Sequence, residues 1–412
     1  MLDEGEYISY VMKPPDTNTA ELSVEKLVYG GDGLGRLEGR VVLVPFVLPG
    51  ETVQVAIERR RGGVFEARLL EVIAPSAERV QPDCPYFRRC GGCRYQHAGY
   101  EFQLAQKRAI LEEVIQRVGR FPPPPVEVIA GPPWEYRNRA QFHLDRGRIG
   151  YFEHGSHRLC AVERCPVCSP KLNQALGALA SMSGQRRFPH FVKSIEVFGN
   201  EGEVQLNVLE TSQPVARRFF DWCAEQIPGL VSGALDYRAG GDLYRVSARS
   251  FFQVNRFLVE PLIERALEGA AGETAVDLYA GVGLFALPLA RRFRQVTAVE
   301  AGGSAIRDLE FNAARAGLTV STKQSAADSF LLGATEQPDL VLADPPRAGL
   351  GPGVVRELLR LGPPRLVIIS CDPATLARDL AALGAGYRIE RLTLIDLFPQ
   401  TAHLETVTDL RR

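Results

Sequence analysis

A chain of 412 residues exceeds the 100–200 or so that one ordinary core holds, so two or three domains are expected. With 45% hydrophobic and 24% charged residues and a net charge of −1, the composition excludes a disordered chain and a uniformly basic nucleic-acid binder. The acidic Met1–Glu6 start lacks the apolar stretch of a secretory signal and no membrane-spanning run follows, so a cytoplasmic protein is expected.

Residues 1–18, which include Pro14-Pro15-Asp16-Thr17-Asn18, read as a polar tail. Over 19–75 short apolar runs alternate with glycine turns, the pattern of a small β-barrel. Arg59-Arg60-Arg61-Gly62-Gly63 then forms a basic hairpin tip suited to phosphate contact. Residues 59–120 hold 12 Lys/Arg against 7 Asp/Glu, a local balance of +5 within a nearly neutral chain.

Residues 76–245 carry most of the eight cysteines, at 84, 90, 93, 160, 165, 168 and 223. In a chain without an export signal such clustering suits ligation rather than a disulfide framework. Cys84-x5-Cys90-x2-Cys93 with a distant fourth thiol can bind zinc or an iron–sulfur cluster, and spacing does not choose between them. A helix is predicted over Tyr100–Val118, then a proline stop at 122–125. The stretches AQFHLD, RIGYFE, SIEVFGN and EVQLNVLE alternate apolar with polar residues, which implies a sheet with one packed and one wet face.

From 246 to 412 short apolar strands alternate with amphipathic helices, so an α/β domain with a parallel, doubly wound, Rossmann-like sheet is expected. Ligands of such sheets sit at the carboxyl ends of the strands, and the chemistry-bearing residues fall there. Asp277-Leu278-Tyr279-Ala280-Gly281-Val282-Gly283 follows one strand; Ala286 stands where a dinucleotide fingerprint would have its third glycine. Glu300 ends the next strand, where a carboxylate accepts hydrogen bonds from ribose hydroxyls. Asp344 ends the third in Asp344-Pro345-Pro346-Arg347. A fourth runs into Ser370-Cys371-Asp372-Pro373, where a helix N-terminus is expected to favour thiolate over thiol. Glu405 is the matching candidate base.

Together with Phe252-Gln253-Val254-Asn255 and His403-x-Glu405, these motifs resemble, in order and spacing, the bacterial RNA 5-methyluridine methyltransferases. The resemblance implies that Gln253, Tyr279, Glu300 and Asp344 surround S-adenosyl-L-methionine, that Cys371 is the nucleophile and that Glu405 is the base. It also implies that Phe251 or Phe252 stacks on the target base. Residues 19–75 look like that family's TRAM module, an OB-like RNA-binding barrel. CPYFRRCGGCRYQH looks like its cluster-binding segment, which implies a [4Fe–4S] centre on Cys84, Cys90, Cys93 and Cys165 in a central α+β domain, with Cys168 and Cys160 as rival fourth ligands. Zinc stays as the alternative. Ala280 departs from the family, many of whose members have cysteine there. Tyr136-Arg137-Asn138-Arg139 is expected to contact phosphate or a flipped base. The implied partner is structured RNA, 23S ribosomal RNA ahead of transfer RNA, with no membrane and no obligate protein partner. Two other readings stay open: a non-catalytic RNA-binding protein, and amino methylation of adenine, which also uses a D-P-P loop but has no need of Cys371.

Overall fold

The computed structural model describes residues 19–412, and the tail expected at 1–18 lies outside the described residues. Two compact units divide between Arg79 and Val80.

In the first unit, strands Thr19–Leu27, Asp32–Leu37, Arg40–Pro45, Thr52–Arg61 and Val64–Ala74 close a barrel. Successive side chains on a strand point to opposite faces, and the inward set, Leu22, Val24, Val42, Val44, Val53 and Val55, is buried. Gly33 is dictated by crowding, since a Cβ there would stand 2.3 Å from Cγ2 of Val47. Gly62 and Gly63, both at positive φ, turn the chain after Arg61, so the basic hairpin tip forms as expected. Arg59 is neutralised by Glu66, while Arg60 and Arg40 lie 5.9 and 5.8 Å from the centre of the Phe65 ring.

Glu51 ties the barrel's turns together. Fully buried, it accepts hydrogen bonds from the Leu48 and Ser76 amides and from the Arg79 guanidinium. Burial alone would raise its pKa, but Arg79 and the backbone donors outweigh that and hold it below the ordinary value. Its contribution is therefore present above the usual carboxylate pKa and lost as pH falls through the folded value. Glu51→Gln is expected to lower barrel stability by about 2 kcal/mol at neutral pH. Urea denaturation should show that difference shrinking in acid.

In the second unit, a mostly antiparallel sheet runs Leu230–Val231, Val204–Thr211, Val192–Gly199, Arg139–Asp145, Arg148–Phe152, Leu159–Ala161. It contains all four alternating stretches read from the sequence. Helices Pro170–Ser183 and Arg217–Gln226 share its core through Leu172, Leu176 and Trp222, against Phe142 and Ile195.

The other sheet has eight strands, in the order Ser321–Gln324, Phe293–Glu300, Gly272–Leu278, Leu340–Ala343, Arg365–Ser370, Thr406–Arg411, Arg388–Ile395, Val126–Ile129. The first five are parallel, as expected. Thr406–Arg411 is antiparallel to both its neighbours, and Val126–Ile129 adds in parallel to Arg388–Ile395. The helix expected over Tyr100–Val118 is α-helical over Tyr100–Val114, continues as a π turn through Ile115–Gly119, and packs against the Pro373–Leu383 helix.

Residues 100–129, read from the sequence as part of a central domain, therefore build onto the C-terminal sheet. So does the hairpin Leu235–Ala239/Asp242–Val246, whose Tyr237 and Tyr244 enter the core of Phe252 and Leu262. A four-residue strand just behind a proline run carries too little periodicity to announce a partner far along the chain. Among the described residues no helix is long and apolar enough to cross a membrane.

Candidate active site

The carboxyl ends of the parallel strands carry the expected residues. After Gly272–Leu278 the chain turns sharply. Tyr279 sits at φ +63°, a left-handed conformation that costs a non-glycine residue energy and is held only by its surroundings. Gly281 and Gly283 follow at φ +55° and +96°, and a Cβ on Gly283 would meet Leu287 at 2.7 Å. Glu300 closes this turn, accepting hydrogen bonds from the Gly281 amide at 3.0 Å and the Gly302 amide at 2.6 Å. Tyr279 and Glu300 line a cavity of about 410 Å³ whose other walls include Ala326, Asp328, Leu350 and Pro352. Asp328 was not singled out from the sequence, although it follows the Ser321–Gln324 strand and the strand-end rule that found Glu300 could have found it.

Asp344 is half-buried behind this turn, and Gln253 Nε2 donates to its Oδ2 at 3.5 Å. Burial pushes the Asp344 carboxyl up to about 7. Asp277 beside it is wholly buried, with neither oxygen in a hydrogen bond of normal geometry; burial first, and Asp344 second, hold its carboxyl well above the usual range.

Cys371 follows the Arg365–Ser370 strand at the mouth of the Pro373–Leu383 helix. The expected activation by that helix is not realised. Asp372 caps it, accepting from the Ala374 and Thr375 amides at 3.0 and 2.9 Å, so the free donors are already spent on a carboxylate. Burial instead pushes the thiol up to about 11, with Glu405 raising it further and Arg347 opposing. Glu405 is 4% exposed; burial, then Asp344, keep its carboxyl well above the carboxylate range, again against Arg347. Cys371 thus lies within reach of the charges of Asp344 and Glu405, and Gln253 joins the group through Asp344.

Phe252 is 2% exposed, its ring packed at a tilt into the cluster of Phe198, Tyr237 and Tyr244, whereas Phe251 is 61% exposed. Only Phe251 is free to meet a base. The expectation for Tyr136-Arg137-Asn138-Arg139 is largely overturned. Tyr136 donates its hydroxyl to the Pro399 carbonyl, Asn138 bonds the Tyr237 hydroxyl, and Arg139 is held by Glu196 and the Ser250 carbonyl. These three are buried structural side chains.

Cys84, Cys90, Cys93 and Cys165 line a second cavity, of about 310 Å³, shared with Arg137 and with Thr401 and His403 from the segment that leads to Glu405. Cys160 and Cys168 do not line it. Cys160 is buried in the sheet, and Cys168 faces the Tyr151 hydroxyl at 3.4 Å. Among the described residues no three Cys, His, Asp or Glu side chains converge closely enough to share a single metal ion.

Over residues 231–330 and 333–412 the chain matches the tRNA (Uracil-5-)-methyltransferase family, and over residues 18–70 the TRAM domain. It is 34% identical over 417 residues to the 23S rRNA (uracil(1939)-C(5))-methyltransferase RlmD of Salmonella paratyphi A, covering 93% of this chain and 94% of that one. It is 32% identical over 451 residues to an uncharacterized RNA methyltransferase, sll1967, of Synechocystis sp., covering 96% of each. Among solved structures it is similar to the Pyrococcus abyssi tRNA (uracil-54, C5)-methyltransferase in complex with S-adenosyl-L-homocysteine, with a TM-score of 0.76 and 26% identity over 94% of this chain and 99% of that one.

Proposed function

Because this chain belongs to the RNA uracil-5-methyltransferase family, we propose that it methylates C5 of a uridine in 23S ribosomal RNA, with Cys371 as nucleophile and Glu405 as base. The observation that carries the mechanism is the placing of Glu405 near enough to Cys371 for its charge to act on the thiol, beside Asp344, which Gln253 holds. S-adenosyl-L-methionine supplies an electrophilic methyl group. Tyr279 and Glu300 fit its nucleoside: the strained turn presents the tyrosine to the cavity, and Glu300, fixed by two amides, offers its remaining lone pairs to ribose hydroxyls.

Uracil C5 is too poor a nucleophile to take the methyl unaided. The Cys371 sulfur, as thiolate, adds to C6, and the electron pair displaced from the C5–C6 double bond makes C5 nucleophilic enough to attack the methyl carbon, whose bond to the sulfonium sulfur would break to leave S-adenosyl-L-homocysteine. Glu405 then takes the proton left on C5, the double bond re-forms, and the C6–S bond breaks to return the thiolate. A thiol pushed up to about 11 is protonated in the free enzyme. Arg347 already works to lower it, and the positive charge of bound S-adenosyl-L-methionine would work in the same direction. Phe251 is the side chain exposed to stack on the extruded base.

Cys84, Cys90, Cys93 and Cys165 would hold a [4Fe–4S] cluster. They line one cavity and supply the four thiolates that such a cluster, or zinc as the alternative, requires. Methyl transfer to C5 consumes no electron, so such a cluster would serve to hold the surrounding segments in place.

The relatives named for 23S ribosomal RNA favour that substrate, in a cytoplasmic setting; the similar archaeal structure, named for transfer RNA, keeps the second reading. Label from methyl-tritiated S-adenosylmethionine should appear as 5-methyluridine in unmodified 23S ribosomal RNA and not in transfer RNA. Label in transfer RNA alone would move the substrate and leave the mechanism.

A further inference from the structure

The strand Arg388–Ile395 and Glu405 are joined by a loop, residues 396–404, whose ends are tied by the Ile395 amide donating to the Glu405 carbonyl at 2.8 Å. The first half of this loop, residues 396–400, is fixed from several other parts of the chain. The Leu397 carbonyl accepts from Asn255, the Pro399 carbonyl from the Tyr136 hydroxyl, and the Gln400 carbonyl from the Arg94 and Tyr95 amides. Gln400 is in the left-handed region at φ +68°, and exchanges two hydrogen bonds with Gln103, one through its backbone amide and one through its side chain.

At the loop's first residue stands an ion pair with no exposure on either side chain. Lys107 Nζ donates to Asp396 Oδ1 at 2.6 Å and to the Phe398 carbonyl at 2.9 Å, and the Tyr100 hydroxyl donates to Asp396 Oδ2 at 3.0 Å. The Asp396 amide donates to the Ile129 carbonyl. Tyr100, Gln103 and Lys107 all lie on the Tyr100–Val114 helix, so one helix grips the loop at its start and near its middle. A fully buried ion pair gains little stability over an apolar pair of the same volume, because desolvating both charges costs about what their attraction returns. What it does supply is direction, since Lys107 and Asp396 are satisfied only in one arrangement.

We propose that Lys107 and Asp396 are positioning residues for Glu405, a role that rests on reading Glu405 as the base. Locking the loop at Asp396, one residue from the Ile395–Glu405 tie, fixes where the Glu405 carboxylate meets the C5 proton. The step affected is the last one. Glu405 takes the proton, the C5–H electron pair becomes the C5–C6 double bond, and the C6–S bond breaks to free Cys371. Addition of Cys371 and transfer of the methyl do not require Glu405, so a displaced loop should slow release of the adduct while leaving its formation intact.

The test is a single-turnover reaction with whichever transcript, 23S ribosomal or transfer RNA, the unaltered enzyme methylates, following the covalent protein–RNA complex on denaturing gels. The variants are Lys107→Met/Asp396→Leu, which removes both charges together, and Tyr100→Phe, which removes one hydrogen bond at nearly constant volume. With the double variant the adduct should form at close to the normal rate and decay at least about tenfold more slowly, the scale expected of a misplaced catalytic group. Tyr100→Phe should slow decay a few-fold and decides the matter if the double variant does not fold. Glu405→Gln, run alongside, should hold the adduct longest. Normal decay in the pair variants, or equal loss of formation and decay, overturns the positioning role while the base reading stands. Normal decay in Glu405→Gln overturns both.

Discussion

Cys371→Ala is expected to abolish methyl transfer, by at least about 10⁴-fold, while RNA binding stays within a few-fold of normal. The magnitude follows from the chemistry. Without addition at C6, C5 must attack the methyl as an ordinary vinylic carbon, and no other group at the strand ends can take the thiol's place. Binding should survive because the barrel's exposed Arg60 and Arg40, flanking the half-buried Phe65, and the exposed Phe251 are untouched. Transfer of label and a filter-binding titration check the two halves separately. The thiol also has a pH signature. Pushed up to about 11, it should react slowly with iodoacetamide at neutral pH and faster as pH rises toward that value. In Glu405→Gln the profile should move to lower pH, because the carboxylate that opposes the thiolate is gone. Fast, pH-independent alkylation at neutral pH would contradict the electrostatics described.

Glu405→Gln should separate the two halves of the reaction. The amide occupies the same buried space but accepts no proton, so each enzyme molecule should add to one uridine, deliver one methyl group and stop. Multiple turnover is expected to fall by about 10²–10⁴-fold, the range of general-base catalysis, with a methylated covalent complex that survives denaturation. Unmethylated adduct, or none, would move the base to another residue; Asp344, whose charge acts on both Cys371 and Glu405, is the candidate.

The strand ends were legible in the sequence because the information is local. A short apolar run followed within a few residues by Asp-Pro-Pro-Arg or Ser-Cys-Asp-Pro declares both the strand and what stands at its tip. What the sequence could not show was decided by distant partners. Whether Tyr136, Asn138 and Arg139 face solvent depends on Pro399, Tyr237 and Glu196. Whether Phe251 or Phe252 is free depends on an aromatic cluster drawn from residues 198–244. The helix effect expected at Cys371 failed for a nearer reason, readable in retrospect. Asp372 is an N-cap residue by type, and a capped helix has fewer free amides to offer a neighbouring thiol. The Lys107–Asp396 pair left no trace, because a lysine on an amphipathic helix reads as a solvated charge.

The edge strand Val126–Ile129 pairs with residues 392–395, so synthesis must pass residue 395 before this sheet can close. During synthesis the Tyr100–Val114 helix waits for a surface that does not yet exist, with Leu104, Ile110 and Leu111 unsheltered. Lys107 is then a hydrated cation on that waiting helix. The side chain that ends as the most deeply buried charge on the helix begins as the one that keeps its inward face in water, and it surrenders that hydration only when Asp396 arrives to replace it.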